Sequence, residues 1–76
     1  MRKRKSPMRL RREELKLSRR EMAERMGVSA VAINKWEDGD KNPGIDSYIK
    51  LACFFRVDIM VLKDEHDDWR ADNGTI

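Results

Sequence analysis

The chain has 76 residues, of which 39% are apolar and 41% are charged, with 17 lysines and arginines against 14 aspartates and glutamates. This length allows one small domain, and no apolar run reaches the about 20 residues of a membrane span. A single cysteine excludes an internal disulfide, and a single histidine leaves little material for acid–base catalysis. We therefore expect a cytoplasmic protein that is not an enzyme and uses no cofactor.

Charge is unevenly distributed along the chain. Residues 1–20 carry ten basic and two acidic side chains, whereas residues 58–76 carry two basic and six acidic ones. Clustered lysines and arginines suit a phosphate-binding surface, because each neutralised phosphate releases counterions. We expect the basic part to face nucleic acid and the acidic end to point away from it.

The first seven residues predict a flexible basic arm that ends at Ser6-Pro7. Such an arm either enters a minor groove or only keeps the chain in solution. Because proline suits the first turn of a helix, a first helix is predicted over residues 8–16. The spacing of Met8 and Leu15 places both on its inward face.

Two short helices follow, separated by a tight turn. Ser18 and Glu21 have the spacing of a capping box, which begins a second helix. Gly27 suits the left-handed end of that helix, and Ser29 caps a third helix that continues to about residue 38. The residues expected to face inward from these two helices are Met22, Ala23, Met26, Ile33 and Trp36.

A loop rich in turn residues leads to a fourth helix, which Asp46 is expected to cap and which ends near residue 55. Cys53 is expected to be a buried small hydrophobic residue of this helix. The apolar stripe comprises Ile49, Leu51, Ala52, Phe54 and Phe55, with Ile45 ahead of it as a hydrophobic staple.

The last predicted helix is short and covers residues 59–63 after a cap at Asp58. Residues 64–76 predict a polar acidic tail, in which Trp69 packs either on its own core or at a dimer interface. Neighbouring residues around His66 rarely converge on one ion, so no metal site is expected. The elements together predict an all-α bundle of about five short helices, with an arm at 1–7, a domain at 8–63 and a tail at 64–76.

The segment from residue 17 to residue 39 contains the most informative pattern. Its run LSRREMAERMGVS resembles the LSQEELAEKLGVS pattern of lambda-repressor-like regulators, also called Xre-type, and INKWEDG is similar to their IS-x-W-E-N-G. Pro43, Leu51-Ala52 and the spacing of Val57 and Leu62 fit the rest of the family pattern. The resemblance covers about residues 8–62 and implies a DNA-binding domain that contains a helix-turn-helix.

The resemblance also implies roles for individual residues, because the second helix of this motif lies in the major groove. The residues expected to read bases are Ser29, Ala30, Val31, Asn34 and Lys35. Lys35 can donate to guanine, and Asn34 can pair with adenine. The residues expected to contact phosphate are Arg12, Ser18, Arg19, Lys41 and Asn42. Glu37 is expected to pair with Arg12.

The leading hypothesis is a sequence-specific regulator of double-stranded DNA that acts as a repressor. Relatives bind half-sites as two-fold dimers, so a homodimer on DNA is expected. Its surface is predicted from Met60, Val61 and Trp69 near the acidic end. The alternative is an antitoxin-like or adaptor protein that mainly binds a protein partner, through the acidic segment and Trp69.

Overall fold

The computed structural model describes residues 4–74 and contains five helices over this range. They are α1 (Pro7–Glu14), α2 (Arg19–Met26), α3 (Ala30–Asp38), α4 (Ile45–Phe55) and α5 (Ile59–Gly74). The described residues include no strand, which confirms the all-α prediction. None of these helices is long and apolar enough to cross a membrane. Arg2 and Lys3 of the predicted basic arm lie outside the described residues.

The helix boundaries follow the predicted capping residues closely. The Ser18 hydroxyl accepts from the Glu21 backbone N–H at 3.0 Å, and the Glu21 carboxylate accepts from the Ser18 N–H at 2.9 Å, which confirms the capping box. The Ser29 hydroxyl caps α3 by accepting from the Ala32 backbone N–H at 3.1 Å. The prediction for Asp46 is wrong, because Gly44 occupies the cap of α4 and Asp46 lies in the first turn.

The core lies where the five helices meet. Its buried members are Met8, Met22, Ala23, Ile33, Trp36, Tyr48, Leu51, Ala52 and Leu62. Met26 is only half-buried against them. The four buried apolar residues of α2 and α3 occupy the predicted inward positions, because the 3.6-residue period of a helix determines which side chains share a face.

Four apolar residues expected inside are exposed. Leu15 follows the end of α1, and the chain bends at Lys16, where φ is +59°, so that Leu17 enters the interior instead. Ile45, Ile49 and Cys53 are spaced four residues apart on α4 and form one solvent-facing stripe. The stripe of α4 that faces the core contains Tyr48, Leu51 and Ala52, so the predictions for Ile49 and Cys53 are wrong.

The largest difference from the expected fold is the length of α5. It continues to Gly74 in place of the predicted acidic tail. Leu62, His66 and Trp69 are all buried, and their spacing of four and three residues makes one inward stripe against α1 and α4. The Trp69 Nε1–H donates to the Arg4 carbonyl oxygen at 2.8 Å. Trp69 therefore packs on its own core, and the prediction that it belongs to a dimer surface is wrong.

His66 and Tyr48 pack edge to face between α4 and α5, with ring centroids 6.3 Å apart, and both are buried. Both ring nitrogens of His66 and the Tyr48 hydroxyl lack a hydrogen-bond partner among the described residues. Burial lowers the pKa of His66 to about 4 and raises the pKa of Tyr48 to about 12. The histidine expected in a solvated tail is therefore neutral inside the protein.

Acid is expected to destabilise the fold through His66. Because its folded pKa lies below the ordinary value of 6.5, the unfolded chain takes up the proton first as the pH falls. Stability should therefore fall between pH 6.5 and pH 4, by an amount that approaches about 3 kcal/mol. Urea unfolding at several pH values checks this, with His66→Phe as the matched variant. An equal pH dependence in both proteins would contradict the assignment.

Candidate nucleic-acid interface

The candidate interface is built on α3, which α2 holds from behind. The two helices are joined by three residues, of which Gly27 has a φ of +71°, a conformation that costs other residues a steric penalty. The Val28 N–H donates to the Ala23 carbonyl oxygen at 3.0 Å and closes the turn. Ile33 and Trp36 are buried in the core, which leaves the opposite side of α3 facing solvent.

That solvent-facing side of α3 and the loop after it line one open depression of about 350 Å³. It brings together five of the residues predicted to touch DNA: Ser29, Val31, Lys35, Lys41 and Asn42. Ser47 on α4 also lines it, and the sequence reasoning missed this residue. Ser47 lies three residues after the Gly44 cap, in the first turn of α4. This position could have indicated its place at the depression, because first-turn side chains lie beside the preceding loop.

The other two predicted base-reading residues are less accessible. Ala30 is half-buried against the core, so its methyl group can contribute fit but no hydrogen bond. Asn34 is also half-buried, and its Oδ1 accepts a hydrogen bond from Arg19 Nη1 at 3.0 Å. Val31 is 59% exposed and presents an apolar side chain that suits a thymine methyl group.

Arg12 does not line the depression on α3. It is buried, and its guanidinium donates to Glu37 at 2.7 and 3.1 Å and to the Leu17 carbonyl oxygen at 2.7 Å. These hydrogen bonds to Glu37 raise the pKa of Arg12 above its ordinary value. The expected pairing of Glu37 with Arg12 is confirmed. The expected phosphate contact of Arg12 stays a prediction, which the 8% exposure of this residue does not favour.

Arg19 and Ser18 lie at the start of α2, beside α3. The Arg19 side chain is 30% exposed and pairs with Glu37 at 3.0 Å and with Asp38 at 3.1 Å. Ser18 is exposed, and its hydroxyl is already engaged in the cap of α2. Both residues remain near the surface, and their phosphate contacts stay predictions.

Much of the N-terminal basic charge is paired within the chain. Because α1 packs against α5, basic residues near one end of the sequence meet acidic residues near the other. Two pairs join the two ends, Arg4–Asp72 and Arg11–Glu65. Two more lie within the N-terminal segment, Lys5–Glu13 and Arg9–Glu13. The expected separation of the basic residues from the acidic end of the chain is therefore not observed, because Arg4 and Arg11 pair with Asp72 and Glu65.

Lys35 and Lys41 differ from these paired basic residues. Both are exposed, and neither forms an ion pair with another residue in the described part of the chain. Their charges lie on the depression formed by α3 and its following loop. Within residues 4–74, no group of three His, Cys, Asp or Glu side chains has the arrangement of a metal site.

Comparison with known proteins adds one finding. A family model described as helix-turn-helix matches residues 8–62, a span that begins in α1 and ends in the first turn of α5. No curated protein and no solved structure matches the chain. The matched span includes the whole of the depression on α3 and the two helices that support it.

Proposed function

Because the chain belongs to the lambda-repressor-like helix-turn-helix family of DNA-binding domains, we propose that it is a sequence-specific regulator of double-stranded DNA that represses transcription. One observation carries this proposal. Residues of α3 and of its following loop, among them Lys35 and Lys41, line one depression. An α-helix fits the major groove, which is about 12 Å wide. On this proposal the protein works in the cytoplasm.

The residues divide into two roles on this proposal. Lys35 and Val31 on α3 meet base edges, because Lys35 can donate to guanine and Val31 can contact a thymine methyl. Lys41 and Asn42 lie beyond the end of α3 and contact the phosphate backbone, which positions the helix without carrying sequence information.

Duplex binding should weaken with salt, and Lys41→Ala should flatten that dependence. Each lost phosphate contact lowers the slope of log K against log salt by about 0.9 for B-form DNA. Lys63→Ala is the matched control, because Lys63 pairs with Asp67 on α5, 2.9 Å away. Fluorescence anisotropy over a range of salt concentrations measures both variants. Equal slopes for the two variants, or no binding to any duplex, would refute the proposed interface.

Sequence preference is measured on the same protein by selection from random duplexes. Lys35→Ala should change the selected sequence at one position, since a lost base contact is worth about 1–3 kcal/mol of discrimination. A variant that loses specific and random DNA equally would mean that Lys35 only positions the protein.

We further propose that two copies bind half-sites about 34 Å apart. Met60 and Val61, in the first turn of α5, are 60% and 48% exposed and offer an apolar surface for this pairing. Titration of a palindromic duplex reports the pairing as cooperativity, which Met60→Glu should lower. The adaptor alternative rested on the acidic segment together with Trp69, and the burial of Trp69 leaves only the acidic side chains to support it.

A further inference from the structure

We infer that two copies of this chain pack together through two different surfaces. The exposed face of α5 of one copy lies on the end of α2 and the outer side of α4 of the other copy. This inference rests on the pairing of copies under the proposed function and deepens it, because it names the surface that Met60 and Val61 contact.

The first surface is a depression of about 390 Å³ between the end of α2 and the outer side of α4. The residues that line it, called the basic patch below, are Arg25, Met26, Ile49, Lys50, Cys53 and Phe54. Ile49 and Cys53 are exposed, and Ile45 continues their stripe by one turn of α4. Adjacent exposed apolar side chains with a polar rim are typical of a surface that contacts another molecule.

The charge of the basic patch is not balanced within the chain. Arg25 and Lys50 are exposed, and neither forms an ion pair with another of residues 4–74. Glu21, one turn before Arg25, uses its carboxylate to cap α2, and Asp46, one turn before Lys50, does not line the patch. Two positive charges beside apolar side chains suit a partner surface that is both apolar and acidic.

The outer face of α5 has this composition. Its four exposed residues, called the acidic patch below, are Met60, Val61, Asp64 and Asp68. Their spacing places them on one side of the helix, opposite the buried stripe of Leu62, His66 and Trp69. Neither Asp64 nor Asp68 forms an ion pair within the described part of the chain, so both charges are available to a partner.

The two patches match in length as well as in chemistry. The stripe from Ile45 to Cys53 and the face from Met60 to Asp68 are each about 12 Å long at the helical rise of about 1.5 Å per residue. An amphipathic helix that lies on an apolar depression is a common mode of recognition. Both patches are open to solvent in one copy, so they cover each other only between copies. In a two-fold pair of copies the contact is made twice, once in each direction.

Sedimentation equilibrium of the full chain, without DNA, tests this contact. Lys50→Glu reverses one charge of the basic patch and Asp64→Lys reverses one charge of the acidic patch. Each variant should weaken self-association at least about tenfold, because like charges then face each other. Arg20→Glu is the matched control, since it makes the same change of charge at a largely exposed residue of α2 outside both patches. A reductant is kept present, so that a disulfide between exposed Cys53 side chains does not mimic the contact.

An equal mixture of Lys50→Glu and Asp64→Lys distinguishes this contact from one between two identical surfaces. In the mixture, the unaltered acidic patch of the first variant meets the unaltered basic patch of the second. The two reversed charges meet each other in the opposite direction. Self-association should therefore return toward that of the unaltered chain, although each variant alone associates weakly. Rising salt should weaken the association of the unaltered chain, because it screens the opposite charges.

The outcomes separate this inference from the proposed function. Undiminished self-association of Lys50→Glu overturns the inference, because α5 of one copy then packs on another surface, such as α5 of the second copy. A mixture that associates no better than its components overturns it too. A chain that stays monomeric up to millimolar concentration also overturns it, and the basic patch then belongs to a different acidic partner or to none. These measurements contain no DNA, so absence of duplex binding overturns the proposed regulator and leaves their result intact.

Discussion

Replacement of Glu37 by alanine is expected to destabilise the fold by about 3–5 kcal/mol, the cost of removing one partner from a buried ion pair. Arg12 is 8% exposed and would keep only its bond to the Leu17 carbonyl oxygen. Arg19 would lose one of its two carboxylate partners as well. For a domain of this size such a loss is a large part of the whole stability. Urea unfolding followed by circular dichroism measures it.

The matched control is Glu24→Ala on α2. Glu24 also pairs with an arginine, Arg20, but the two atoms are 3.7 Å apart and both side chains are largely exposed. Exposed pairs of this spacing contribute about 0.3–0.5 kcal/mol. Equal losses in Glu24→Ala and Glu37→Ala would show that Arg12 reaches solvent. A double variant, Arg12→Met with Glu37→Leu, should be more stable than Glu37→Ala, because no charge is then left buried.

Replacement of Trp69 by alanine is expected to cost about 3–5 kcal/mol, the range for truncating a buried large aromatic side chain. Trp69 is 6% exposed, and its ring carbon Cη2 lies 3.0 Å from where a Cβ on Gly39 would be. Its Nε1–H also donates to the Arg4 carbonyl oxygen. The same side chain therefore connects α5 to the end of α3 and to the segment before α1.

The unfolding of two further variants serves as the control for Trp69→Ala. Met60→Ala removes a side chain from the same helix that is 60% exposed, and it should change stability by less than about 0.5 kcal/mol. Trp69→Phe keeps most of the packing and loses the hydrogen bond, so its loss should lie between the other two. A Trp69→Ala variant as stable as Met60→Ala would mean that residues 64–74 form a solvated tail.

These two predictions concern different supports of one surface. Glu37 holds Arg12 behind α3 and Arg19 beside it, while Trp69 packs under Gly39, where α3 ends. The loop that contains Lys41 begins at this same end. Loss of either side chain should therefore disturb the position of α3 as well as the free energy of unfolding.

The sequence by itself determined the parts of this protein that depend on neighbouring residues. The capping box of Ser18 and Glu21 and the left-handed turn at Gly27 involve only residues within a few positions of each other. Their signals are therefore present in any short window of the chain. The inward residues of α2 and α3 follow from the helical period, and the matched family span follows from the same pattern.

Only the tertiary structure decided which charged residues are available and where the fold ends. An arginine in a charged segment predicts a surface position. Arg12 is buried because it pairs with Glu37, which lies 25 positions away. The charge of Arg11 on α1 is balanced by Glu65, an acid that α5 brings beside it. Residues 64–74 carry too many charges to predict a buried face, and they become helical because α1 and α4 cover the stripe of Leu62, His66 and Trp69. A partner distant in the chain leaves no local signal, so the pairing of side chains across the fold was decided by packing.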